Sequence, residues 1–209
     1  MIDPLQQALL EDGPSLSRPV LDRMYANPFW LERYGERGRR YADEDAQHHL
    51  DYLAQALAAD DPGLFERYAV WLRTILVSRG MCSEHLAEHF RLLAGAIDEK
   101  DYPGKSRATS ILTRGAEALR YTSGPAAPLE AERESLLRDV NRHQSSGQMR
   151  EDDRRYLVSY LFDATAAGDP TGFEGFAARC PAAVVAALLG ASASLGVLLP
   201  SRPPADAAR

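Results

Sequence analysis

The stretch from Asp43 to Arg79 constrains the chain more than any other. In DEDAQHHLDYLAQALAADDPGLFERYAVWLRTILVSR, apolar residues recur at 46, 50, 53 and 57, and again at 64/65, 68, 71/72 and 75. Spacings of three and four on both sides of Asp61-Pro62 predict two amphipathic helices joined by a turn. Asp61 can cap the second helix, and Pro62 fits its first turn, where a missing N–H costs nothing. The pattern then returns. Moving 108 positions along the chain gives EDDRRYLVSYLFDATAAGDPTGFEGFAAR, Glu151 to Arg179, and the register holds without a gap from Asp43 to Trp71. Tyr52/Tyr160, Leu53/Leu161, Ala56/Ala164, Asp61/Asp169, Pro62/Pro170, Phe65/Phe173 and Glu66/Glu174 match, whereas His48 becomes Tyr156, His49 becomes Leu157 and Trp71 becomes Arg179. Any chemistry carried by the first copy is therefore absent from the second.

The rest of the chain also reads as helix. Residues 3–25 hold one or two short helices, each with a proline near its first turn. Asn27-Pro28 opens a longer helix that carries Gly35 and Gly38 and is expected to fray near Gly38. Arg33, Arg37, Arg39 and Arg40 stand beside the acids at 43–45, which suits a solvated face with internal ion pairs, or an arginine patch for an anion. Ser83 can cap a helix over 84–97 striped by Leu86, Phe90, Leu93 and Ile97. A linker at 98–105, a helix over 106–121, a break at 122–128, a helix from Pro128 to about 143 and a turn at 145–148 lead to the second copy.

The most apolar run is Ala182 to Pro200, which lies between Arg179 and Arg202 with no charge. It just reaches the length of a membrane span but is rich in Ala, Ser and Gly, so a buried core helix is expected and a membrane contact through 182–199 is the lesser reading. Ala182, Ala186, Gly190 and Ser194 lie four apart, which would let another helix approach closely. Residues 201–209 read as a disordered tail. The fold expected is all-α: a helical bundle of about eight or nine helices in two related halves, roughly 1–100 and 104–200, packed through the 182–199 helix and the Trp71 face.

A net charge of −6 and a pI near 5.4 disfavour nucleic acid, whose phosphates need a surplus of Lys and Arg on one face. Cys82 and Cys180 are too distant to read as a disulfide framework, and Met1-Ile2-Asp3-Pro4 is not a basic-then-apolar leader; a reducing, cytoplasmic setting is expected.

Potential ligands concentrate in one place. His48 and His49 lie on the first hairpin helix, His85 and His89 sit one turn apart on the next, and Cys82 is on the same side. Imidazole and thiolate suit zinc, iron or haem, so His49, Cys82, His85 and His89 are the candidate metal ligands. HLAEH also has the H-x-x-E-H form of inverted zinc peptidases, but neither a third acidic ligand nor a cleft is marked. The ordinary outcome for histidines on such stripes is a buried, hydrogen-bonded core residue, and His48 is expected to point to water. There is no G-x-S-x-G elbow, no phosphate loop, no dinucleotide fingerprint and no E-x-x-H pair of a di-iron bundle. No catalytic residue or cofactor is read from the chain. Tyr34, Arg37, Tyr68 and Trp71 are of the types enriched at binding hot spots and are the candidate partner-binding residues, although Tyr68 and Trp71 also fit a core stripe.

ERYGERGRRYADEDAQHHLDYLAQAL, LFERYAVWLRTILVSRG and SEHLAEHFRLLA together resemble helical modules that lie beside cobalamin-binding or other signalling domains in bacteria. The resemblance covers residues 28–97 and implies a regulatory or sensory helical unit. No D-x-H-x-x-G loop follows, so corrinoid binding is not implied. The function expected is a non-enzymatic regulatory or adaptor module that binds a protein partner or self-associates. The alternative is a metal- or haem-binding helical sensor or enzyme using His49, His85 and His89.

Overall fold

The computed structural model describes residues 3–143 and 149–201, and over that range its regular structure is helical, with no strand among the described residues. The turn expected at 145–148 and residues 202–209 of the expected tail lie outside it. Eleven helices follow one another: α1 (Pro4–Glu11), α2 (Gly13–Tyr25), α3 (Pro28–Ala59), α4 (Pro62–Ser78), α5 (Ser83–Asp98), α6 (Lys105–Ala118), α7 (Ala127–Ala131), α8 (Arg133–His143), α9 (Glu151–Ala167), α10 (Thr171–Ala177) and α11 (Ala182–Ser194). The number exceeds the expected eight or nine because a break at Asp12 separates α1 from α2 and one at Glu132 separates α7 from α8.

Local signals set most boundaries. Asn27 accepts a hydrogen bond from the Phe29 amide at 3.1 Å, with Pro28 in the first turn, so α3 starts as its sequence demands. The interruption in α3 falls at Gly35 (φ 60°, ψ −170°), not at Gly38; only a residue without a side chain enters that conformation cheaply. Ser83 does not cap α5 either. The amides of Ser83 and Glu84 donate instead to Asp163 Oδ2 (2.7 Å) and Ser159 Oγ (3.0 Å), so the first two orphan N–H groups of α5 are satisfied by α9.

Both hairpins close in the same way. Asp60 and Gly168 adopt left-handed conformations (φ 47° and 68°), and the next amides, of Asp61 and Asp169, donate to Ala56 and Ala164 at 3.0 and 3.2 Å. Asp61 and Asp169 then accept from the amides of Gly63 and Thr171, each at 2.9 Å. Across the arms, Tyr52 stacks on Tyr68 (3.8 Å between ring centroids, 14° between planes) and Tyr160 on Phe176 (4.9 Å, 24°). Those two stacks occupy corresponding positions at the 108-residue offset.

The chain divides into two compact units that interleave along the sequence, residues 1–72 with 86–119 and residues 73–85 with 120–209. Helix α6, which follows the segment 98–105, falls in the same unit as residues 86–98. In the first unit α3 packs against α1, α2 and α6. Its interior holds Leu9, Leu16, Leu50, Leu53, Phe65 and Phe90, all essentially sealed from solvent. Gly115 makes room there, since a Cβ at that position would lie 2.5 Å from the Phe65 ring. In the second unit α9 is the central element, packed on α8 and α10, and every residue from Tyr156 to Thr165 is buried. Glu130 anchors α7 beside it, taking both Arg133 (2.8 and 2.9 Å) and Arg120 (2.7 Å). Burial alone would raise the Glu130 carboxyl, but these guanidinium bonds hold it below its ordinary range.

Helix α11 packs on α8 and buries only Val184, Leu188 and Ser192. The expected core helix is therefore covered on one side alone. Trp71 likewise is exposed (55%), with its ring 6.1 Å from that of Tyr68. Among the described residues no helix is long and apolar enough to cross a membrane.

Candidate functional site

Three places in the fold are candidate sites. The first is the histidine group, which the fold divides between the units: His49 and His89 in the first, Cys82 and His85 in the second. His49, from α3, shares a 2.7 Å hydrogen bond between Nδ1 and the Tyr68 hydroxyl of α4, and its ring lies edge-on to His89 of α5 with centroids 4.7 Å apart. His89 is buried, and its Nε2 has no hydrogen-bond partner. Burial drives the His49 imidazole well below its ordinary pKa, helped by the nearby imidazoles of His89 and His48, and lowers His89 to about 4. Both are neutral at physiological pH, the state in which an imidazole nitrogen can accept a proton or bind a metal.

Cys82 and His85 sit differently. The Cys82 amide donates to His85 Nδ1 at 3.4 Å, and the His85 ring packs edge-on against Tyr156 and Tyr160 at 4.4 and 5.6 Å. Burial first, and the Asp163 carboxylate second, push the Cys82 thiol well above its ordinary pKa, which opposes the thiolate a metal would need. Among the described residues no three His, Cys, Asp or Glu side chains converge as a metal centre would require. His48 points to solvent, as its place on α3 predicts.

The candidate partner-binding residues also separate. Tyr68 is buried, held by its stack on Tyr52 and its bond to His49, so it cannot present itself to a partner. Tyr34 is half-buried and packs against Phe29 and Trp30 at 6.0 and 5.6 Å. Arg37 is exposed and donates to the Tyr41 hydroxyl at 3.0 Å, and Trp71 is exposed beside Val70.

The second place is a cleft of about 400 Å³ in the second unit, between the end of α4, the residue after Arg120, and the α9–α10 hairpin. Asp163 lies at its base, accepting from the Tyr121 hydroxyl (2.6 Å), the Ser83 amide (2.7 Å) and the Ser83 hydroxyl (3.1 Å). Burial raises the Asp163 carboxyl, while the bonds from Tyr121 and Ser83 act the other way. The guanidinium of Arg73 stands 4.3 Å from the centroid of the Tyr121 ring. Tyr160 donates to the Gly80 carbonyl at 3.0 Å, which fixes one aromatic wall.

The third place is the outer side of α11. Ala182, Ala186, Gly190 and Ser194 are all exposed, and so are Leu195 (36%) and Leu198 (75%) just beyond the helix. No charged side chain occurs from Pro181 to Ser201. The four-residue spacing identified this stripe in the sequence. The cleft had no such signal, because Arg73, Tyr121 and Asp163 are each about forty or more positions apart and none belongs to a motif. Comparison of the chain with protein-family models, with curated proteins and with solved structures found no match.

Proposed function

We propose that the protein is a non-catalytic regulatory or adaptor module that holds a partner helix, from another protein or a second copy of itself, against the outer side of α11. The observation that carries this reading is an uncharged, apolar helix covered on one side only. Helices that are apolar all round are ordinarily buried all round, and contiguous exposed apolar surface marks interaction sites. The small residues at 182, 186, 190 and 194 let a second backbone come close, and the absence of charge lets it do so without desolvating ions. The resemblance of residues 28–97 to modules beside signalling domains supports a regulatory role. The shared turn geometry and ring stacks support a further reading, that the two hairpins descend from one duplicated unit.

Gly190 gives a clean test, because a side chain built there meets nothing within 4 Å inside the chain. A photo-crosslinker at Ala186, with light scattering across a concentration series, should trap and size a complex that Gly190→Glu abolishes without lowering the melting temperature. A strict monomer with no crosslink through position 186, or a complex indifferent to Gly190→Glu, would overturn the reading.

A second reading rests on the buried, unpartnered Nε2 of His89 facing His49. A transition metal or haem iron would satisfy that nitrogen, with remaining ligands from the bound group itself. Metal analysis and a visible spectrum of untagged protein decide it; metal well below stoichiometry and no Soret band after reconstitution would remove it.

A further inference from the structure

The two units differ in the ionisable groups they bury. In the first, His49 of α3 and His89 of α5 meet edge to face with centroids 4.7 Å apart, and Phe90 packs on His49 at 5.3 Å. His49 Nδ1 is bonded to the Tyr68 hydroxyl, whereas His89 Nε2 is sealed from water without a hydrogen-bond partner. In the second unit the buried carboxyl of Asp163 accepts only from uncharged donors, Tyr121, Ser83 and Ser159. Glu84 and Glu130, also buried there, pair with arginines. Among the described residues of the second unit His85 is the one buried histidine, and its Nδ1 accepts from the Cys82 amide.

A proton on either imidazole of the first unit's pair is a charge placed in an apolar interior. Its surroundings compensate little. His48 on α3 is another base, Tyr68 on α4 is neutral, and Asp45 and Asp51 of α3 act on the Tyr68 hydroxyl. Glu88, next to His89 on α5, is buried as well, yet burial is the influence that moves His89. From the elements packed on α3, Asp3 at the start of α1 pairs with Arg107 of α6, Asp22 of α2 pairs with Arg39, and Arg114 of α6 pairs with Glu66 of α4, all at solvated positions. Burial therefore holds His49 well below its ordinary pKa and His89 at about 4. Below pH 6.5 the unfolded segment takes up protons that the folded pair refuses, so acid draws the first unit towards an open form. Asp163 works the other way: burial raises its carboxyl, and protonation relieves a cost inside the second unit. Glu130 is held below its ordinary range by its arginines and stays charged in mild acid. Protonation of His85 would break its bond from Cys82, one such loss against two in the first unit, and Asp163 offsets it.

We propose that the pair formed by His49 and His89 is a proton switch: mild acid opens the first unit reversibly while the second unit, which carries α11, stays folded. Cooperative units of one chain open separately when their stabilities differ, and protonation of histidine clusters biases such elements in pH sensors. The partner surface on α11 plays no part in this inference, which stands if that reading fails.

The test is an acid titration of the full chain followed by two probes. Both tryptophans, Trp30 and Trp71, belong to the first unit, so their fluorescence reports on that unit alone. Amide hydrogen exchange, corrected for its intrinsic pH dependence, resolves the two units. Between about pH 7.5 and 4.5, residues 46–57 of α3 and 86–97 of α5 should lose protection by about tenfold or more, with a red shift of the tryptophan emission. Residues 156–165 of α9 should keep their protection to within about threefold, and return to neutral pH should restore both signals. His89→Leu should move the midpoint of the transition down by about half a pH unit or more. If that variant does not fold, His49→Leu combined with Tyr68→Phe carries the same expectation, and the parent's exchange pattern decides if neither folds. Loss of protection in the second unit first or in both together, no loss in the first unit down to about pH 4.5, a loss that neutral pH does not reverse, or a midpoint unmoved in a folded histidine variant would overturn the proposal.

Discussion

The two hairpins are built on the same turn and the same ring stack, yet they differ in the polar group each one buries. The first buries an imidazole, His49, whose hydrogen-bond partner Tyr68 lies in the other arm of the same hairpin. The second has Leu157 and Phe176 at those two positions and instead buries Asp163, nearly two turns further along α9, where the first hairpin has the exposed Gln55. Asp163 finds its shortest hydrogen bonds outside its own hairpin, from Ser83 and Tyr121, with Ser159 of α9 a longer third at 3.4 Å. Local sequence is enough to close a hairpin of this kind, but what it buries decides whether it depends on distant parts of the chain. The first hairpin gives its buried imidazole a hydrogen-bond partner from within, although the ring also packs on His89 and Phe90 of α5. The second ties α9 to the start of α5, and the same carboxylate underlies the cleft.

The largest effect should come from cutting that tie. Asp163→Ala strips the acceptor from two donors of Ser83 and from the Tyr121 hydroxyl, and buried polar groups left unmatched cost about 1–3 kcal/mol each. A loss of about 4 kcal/mol is expected, read as a fall in the urea midpoint at unchanged m-value. Gln55→Ala, at the equivalent position of the first hairpin, should change stability by less than about 0.5 kcal/mol. Similar costs for the two would mean that α9 is not held by its long-range partners.

Next in size is the acid response of the two buried histidines of the first unit. His49 and His89 both have folded-state pKa values below the ordinary 6.5, His89 at about 4. Below pH 6.5 the unfolded chain therefore binds protons that the folded chain refuses. The histidines contribute their full stability above pH 6.5 and lose it as pH falls towards 4. At about 1.4 kcal/mol per pH unit, His89 alone accounts for about 3 kcal/mol across that window. Asp163 has the opposite sign: its raised folded-state pKa favours the fold at low pH, and that contribution fades as pH rises through the raised value. Denaturation at pH 7, 5.5 and 4.5 should show the loss, and His89→Leu should flatten it. Tyr68→Phe leaves His49 Nδ1 without its partner and should cost about 1–2 kcal/mol. Adding His49→Leu, which recreates the Leu157/Phe176 pair, should recover part of that cost, a coupling measured by a double-mutant cycle. Additive costs would show that the bond between the two residues does not matter.

These contrasts mark how far the sequence could be read. Asp61-Pro62, Asn27-Pro28 and the apolar stripes of α3 and α5 announced their helices because caps and periodicity act over a few residues. The same signals placed His49 at the edge of the buried stripe and His48 in water. The cap of α5 was not legible, since its acceptors lie in Ser159 and Asp163, about 75–80 positions away. Position 71 could not be told from 72 on the α4 stripe, so the exposure of Trp71 was missed. In α11 the difficulty was of another kind. A helix apolar on every side gives no amphipathic direction, and only packing on α8 decides that Val184 and Leu188 face in while Ala186 and Gly190 face out.

The smallest predicted effect concerns the turn the hairpins share. Each requires a residue in the left-handed region after its first arm, and the two hairpins fill it differently, with Asp60 at φ 47° and Gly168 at φ 68°. An L-residue with a Cβ is strained there by roughly 1 kcal/mol, a little less for Asp and Asn, whereas glycine is not. Asp60→Gly should therefore stabilise the first hairpin by up to about 1 kcal/mol, despite the greater freedom glycine brings to the unfolded chain. Its ion pair with Arg107, at 3.6 Å on a fully solvated side chain, offsets little. Gly168→Asp should cost a comparable amount in the second, where a Cβ meets nothing within 4 Å and only backbone strain opposes it. The pair of exchanges is read as opposite shifts in the urea midpoint. Shifts of the same sign would show that the two turns, alike in hydrogen bonding, are held in that conformation by different forces.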